Sequence, residues 1–146
     1  MAYDQILIGI DGSEQSLNGA RQAIELAAAV NGCIHAVYVI DTRREYDNDI
    51  IDPDVIRSDL ASVGEDALAR IESAAIEHDV SFRTSIHEGK PATVLLQYAD
   101  RNDIDAIFVG SHGRDAGRSL ERALLGSTTD ALLRQSSVPV TVCPPK

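Results

Sequence analysis

Cysteine and lysine are both scarce in this chain, which has two cysteines, Cys33 and Cys143, and two lysines, Lys90 and Lys146. Each cysteine lies inside an apolar run, where a thiol behaves as a small core hydrophobe, so neither a disulfide framework nor a thiolate metal site is implied. Long hydrophobic runs are missing as well. No stretch approaches the roughly 18 apolar residues of a membrane span, and Met1-Ala2-Tyr3-Asp4 leads into a strand rather than a basic-then-apolar signal peptide. The expectation is a cytoplasmic protein without membrane contact.

Basic charge is also thin, with 13 lysines and arginines against 23 acids and a formal net charge of -10. Such a chain repels phosphate backbones and anionic lipid at long range, which argues against general nucleic-acid or membrane binding. The acid excess is mostly aspartate. That bias is similar to that of proteins from salt-loving cytoplasms, where dense carboxylates keep a surface hydrated under strong screening.

Complete catalytic motifs are absent. Gly89-Lys90 lacks the glycine five positions earlier that a Walker loop needs, Thr84 standing there, and neither Gly-x-Gly-x-x-Gly nor Gly-x-Ser-x-Gly occurs. His35, His78, His87 and His112 show no metal-ligand spacing. Asp47, Asp49, Asp52 and Asp54 lack the glycine and terminal glutamate of a calcium loop and read as a solvated loop. Binding rather than turnover is therefore expected.

What is present is an alternation of strands and helices. Gln5 to Ile10 is a short apolar run closed by Asp11-Gly12-Ser13, the pattern of a strand buried on both faces. Glu14 to about Val30 keeps helical spacing, with Ser13 as N-cap and Asn31-Gly32 as the stop. Cys33 to Ile40 is the second strand, and Asp41 to Pro53 a surface loop. A helix follows from Val55 to Glu77, with Gly64 as a tolerated weak point. Val80 to Ile86 is a third strand, Pro91 to Arg101 a helix opened by proline, and Ala106 to Val109 a fourth strand. After a loop from Gly110 to Gly126 come a helix over Thr128 to Arg134 and a last strand over Val138 to Cys143, which Pro144-Pro145 ends.

Five strands alternating with four helices imply right-handed crossovers and an α/β fold: a doubly wound five-stranded parallel sheet with helices on both faces, in one domain over residues 1–146. Sheets of this kind bind ligands beyond the carboxyl ends of their strands, where the strand order reverses, which directs attention to Asp11, Val39 and Gly110. Gly110-Ser111-His112-Gly113 and Gly126-Ser127-Thr128-Thr129 converge on that edge. Glycines there let the backbone approach a phosphate, while first-turn N–H groups and the hydroxyls of Ser127 and Thr128 donate to its oxygens. Asp11 suits ribose hydroxyls, and the backbone of Val39 suits an adenine edge. A plainer reading stands beside this one, in which Asp11 only helps to cap the first helix and the glycines only make turns.

The chain resembles the universal stress proteins over nearly its whole length. Ile8-Gly9-Ile10-Asp11-Gly12-Ser13 is similar to that family's opening strand and turn, Tyr38-Val39-Ile40-Asp41 to its second strand, and Val138-Pro139-Val140-Thr141-Val142 to its closing one. The loop written Gly-x2-Gly-x9-Gly-Ser/Thr in the ATP-binding subgroup is matched by Gly110, Gly113, Gly126 and Ser127, with twelve residues, Arg114 to Leu125, in place of nine. The resemblance implies a Rossmann-like fold of the adenine nucleotide alpha hydrolase-like type. It implies ATP as ligand, with Mg or Mn accompanying it, AMP and cyclic AMP being compatible with the same adenosine subsite. Asp11 would hold the ribose, Val39 the adenine, and Ser127 with Thr128 the phosphates. A homodimer through the last strand and a role as a stress-response switch are further implications, the alternatives being a nucleotide-free interaction module of the same fold, or a slow ATP hydrolase in which His112 or Asp11 would position water. Arg114, Arg118 and Arg122 read as a solvated helical face and stay outside this site.

Overall fold

Short apolar runs make the centre of the fold. In β1 (Gln5–Ile10) every residue after the first is buried, and in β2 (Cys33–Ile40) the last seven are. Runs like these have no polar face to offer water, so they need helices on both sides. The computed structural model, which describes residues 3–41, 53–110 and 126–144, provides them. The remaining elements are α1 (Glu14–Val30), α2 (Pro53–Glu77), β3 (Ser81–Glu88), α3 (Pro91–Arg101), β4 (Ala106–Gly110), α4 (Ser127–Gln135) and β5 (Val140–Cys143). All strand pairings are parallel, in the order β3-β2-β1-β4-β5.

The period of two along the strands divides the core into two layers. Ile6, Ile8, Ile10, Ile34, Ala36, Tyr38, Ile40 and Phe108 pack with residues of α1 and α2. Leu7, Val37, Val39, Ile107 and Val109 point the other way, against Leu95 and Ala99 of α3 and Leu132 of α4. Full burial of one such aliphatic side chain stabilises by about 1.5–3 kcal/mol, so each layer is worth at least about the net stability of a typical domain before chain entropy is subtracted. Glycine lets the first of these layers close in. At Gly64 in α2, a methyl group would stand 2.4 Å from Cδ1 of Tyr38, so the residue that looks like a weak point in the helix is where α2 lies on the tyrosine ring.

Local signals set the first three elements at the expected residues. Ser13 caps α1 by accepting from the N–H of Ser16 at 3.2 Å, and Asn31 ends it in the left-handed region at φ 62°. Elsewhere the ends move. β3 runs from Ser81 to Glu88 rather than from Val80 to Ile86, because its ladder with β2 continues through Val39↔His87 and Ile40↔Glu88. β5 begins at Val140 rather than Val138. Before it, Ser136 makes a tight turn with Val138, and Pro139, which has no N–H, gives only its carbonyl to Ile107. α2 starts at Pro53, β4 includes Gly110, and α4 is one residue longer at each end than expected. Among the described residues, no helix is long and apolar enough to cross a membrane.

Candidate functional site

The strand order reverses between β1 and β4, since β2 and β3 lie to one side of β1 while β4 and β5 lie to the other. Parting chains leave a crevice at the carboxyl ends there. Asp11 stands directly after β1, Gly110 ends β4 and Gly126 opens α4. Asp11, Val39, Gly110, Gly126, Ser127 and Thr128 thus come from the strand ends and helix start that border this crevice. Gly113, His112 and the three arginines of the loop lie outside the described residues.

Asp11 is half-buried, and its Oδ1 accepts from the N–H of Ser13 at 2.8 Å across Gly12, whose φ of 85° a glycine adopts without strain. Ser16 strengthens the turn by donating its hydroxyl to the carbonyl of Ser13 at 2.9 Å. Asp11 therefore does help to build the cap of α1. The same bond fixes the carboxylate, and no bond from a described residue occupies Oδ2, so the cap role leaves a second acceptor on Asp11.

Val39 lies one residue beyond the last β1 partner in β2, Tyr38, which is paired with Ile10. The carbonyl of Ile40 faces β3, where the N–H of Gly89 donates to it at 3.0 Å. Backbone groups of successive strand residues point to opposite edges, so the carbonyl of Val39 faces the β1 side, at the level where β1 has ended. Its side chain is buried under α3.

Gly110 is pressed against the start of α1. A Cβ there would lie 2.9 Å from Cβ of Gln15 and 3.2 Å from the backbone nitrogen of Ser16. Beside it, Gly126 is the N-cap of α4 and supplies no side-chain cap, so among the described residues no side chain takes the first-turn N–H groups of α4, at the positive end of the helix dipole. Ser127 is exposed and Thr128 half-buried. Thr129, which the sequence pattern does not single out, is 4% exposed, and its hydroxyl donates to the carbonyl of Gly110 at 2.7 Å.

A second polar group, His35, sits inside an otherwise apolar run and is 2% exposed. Its Nε2 lies 2.6 Å from Oε1 of Gln5 and its Nδ1 2.7 Å from the hydroxyl of Tyr98. With the amide oxygen as acceptor, Nε2 carries the proton and Nδ1 accepts from the tyrosine. Burial, and after it the charge of Arg83, holds the imidazole below its ordinary pKa. Burial likewise raises the Tyr98 phenol. The sequence signals that His35 needs partners, because a polar side chain in a fully buried strand demands them, but not which residues they are. Among the described residues, no three His, Cys, Asp or Glu side chains are grouped to hold a metal ion.

Comparison with known proteins agrees with this fold. The profile of the Universal stress protein family matches residues 2–144. Universal stress protein MJ0531 of Methanocaldococcus jannaschii is 31% identical over 150 residues, covering 96% of this chain and 81% of its own. Among solved structures, that of protein MJ0577, a universal stress protein of the same archaeon, superposes with a TM-score of 0.86 at 23% identity, covering 100% of this chain and 99% of the other. A universal stress protein in complex with cAMP superposes at 0.70 with 22% identity, covering 99% of this chain and 98% of that one. One from Archaeoglobus fulgidus in complex with dAMP superposes at 0.65 with 17% identity, covering 98% and 99%.

Proposed function

This chain belongs to the universal stress protein family, and from that premise we propose that it binds an adenine nucleotide, ATP foremost, in the crevice between β1 and β4. In this reading it acts as a homodimeric stress-response regulator, and nucleotide binding rather than turnover is its activity. The observation that carries the reading is the convergence of unlike donors and acceptors at one switch point. Asp11 offers a fixed carboxylate to ribose hydroxyls, the Val39 carbonyl accepts from an adenine amine, and the open first turn of α4 donates to phosphate. Complexes of two family members with cAMP and dAMP support an adenine nucleotide as the ligand class. Any Mg2+ or Mn2+ would arrive with the phosphates and be held mainly by them and by water. The position of β5 at the sheet edge supports pairing of two copies there.

Titration calorimetry of nucleotide-stripped protein with Mg-ATP, AMP and cyclic AMP tests the proposal, with Asp11→Asn as the key variant. Asparagine keeps an oxygen for the N–H of Ser13 but turns the second acceptor into a donor. Loss of a charge-assisted hydrogen bond of ~1.5–3 kcal/mol should weaken every adenine nucleotide by roughly tenfold or more, with α1 still capped. Unchanged affinity in Asp11→Asn removes the ribose role. Absence of heat with all three nucleotides would favour the interaction module that works through its dimer surface, for which the three extra residues between Gly113 and Gly126 are the supporting observation.

A further inference from the structure

We infer that Thr129 is a positioning residue, holding the open first turn of α4 against the end of β4 and so setting how much phosphate groups add to nucleotide affinity. Threonine in a helix commonly returns its hydroxyl to a carbonyl three or four residues back in its own helix. Thr129 instead donates to Gly110, 19 positions earlier and in another element, at 2.7 Å. The hydroxyl is 4% exposed with its residue, so water is a poor substitute.

The anchor it holds is itself closely packed. Gly110 is packed on Gln15 and Ser16 so closely that a methyl group has no room. Ser16 in turn holds the carbonyl of Ser13, and Ser13 holds Oδ1 of Asp11. One continuous path of bonds and contacts therefore runs from the Asp11 carboxylate to the third residue of α4. The first-turn N–H groups precede the first intrahelical bond, which runs from Asp130 to Gly126 at 2.9 Å, so nothing inside the helix fixes their distance from the carboxylate. Thr129 does. Donors that must meet phosphate oxygens at hydrogen-bonding distance lose strength with shifts of a few tenths of an ångström.

This inference rests on the reading that the crevice takes an adenine nucleotide, and its test separates the two. Thr129→Val keeps the shape and removes the donor, Thr129→Ser restores a donor, and Thr129→Ala serves if valine does not fold. Affinities for Mg-ATP and for adenosine are measured on wild type and each variant, together with amide exchange in the first turn of α4. The expected result is ATP weakened by roughly fivefold to tenfold in Thr129→Val, about the worth of one hydrogen bond. Adenosine should stay within about twofold, with the ATP-to-adenosine ratio recovered in Thr129→Ser and faster exchange only in the valine and alanine variants. An unchanged ratio, even with both affinities lowered together, overturns the inference while leaving the nucleotide reading intact. Wild-type protein that binds neither ligand overturns both.

Discussion

Replacing Gly64 by alanine sets two effects of opposite sign against each other. In an exposed helix interior the change stabilises by ~1 kcal/mol, because alanine has less backbone freedom to lose. Here the new methyl group would lie 2.4, 2.7 and 2.8 Å from Cδ1, Cε1 and Cγ of Tyr38. Carbon atoms settle at about 3.5–4.0 Å, so helix and ring must part by roughly 1 Å. The ring is 2% exposed and lies in the layer closed by α1 and α2, so it cannot swing outward. Overpacking of this kind costs about 1–3 kcal/mol and should offset or exceed the propensity gain, leaving Gly64→Ala less stable by up to about 2 kcal/mol. In a chain of this size that lowers Tm by up to roughly 8 °C. Thermal melts and urea titrations measure it, and a double-mutant cycle with Tyr38→Leu assigns it. With the ring gone, Gly64→Ala should become neutral or stabilising. A rise in Tm for Gly64→Ala in the wild-type background would refute the close approach of α2 to Tyr38.

His35 makes stability depend on pH. Its folded-state pKa lies below the unfolded value of about 6.5, so the unfolded chain binds the extra proton. Stability is therefore full above about pH 6.5 and falls as pH drops toward the folded value, with a slope approaching 1.4 kcal/mol per unit. Urea titrations between pH 7.5 and 5.5 should show that fall in wild type and less of it in His35→Gln; equal slopes would contradict it. Ser13→Ala removes the acceptor for the N–H of Ser16 and should cost about 1 kcal/mol, read by denaturant titration and by faster amide exchange at Ser16.

The chain sequence by itself determined whatever depends on near neighbours. Ser13 and Asn31 bound α1 through hydrogen bonds within a few positions, and the apolar runs of β1 and β2 state that both faces are covered. Alternation of elements then implies a doubly wound sheet with its crevice at the strand ends near Asp11 and Gly110. Pairings across distance were decided only by the tertiary structure. Tyr98 meets His35 from 63 positions away, and Gly110 meets Thr129 across 19, with no periodicity to announce either. β3 gains its last two residues from a neighbouring strand rather than from its own pattern, and Gly64 reads as a defect until α2 is laid on Tyr38. Capping and periodicity act within a turn or two of the backbone. Burial, close packing and the satisfaction of buried polar groups act between surfaces that exist only once the chain has folded.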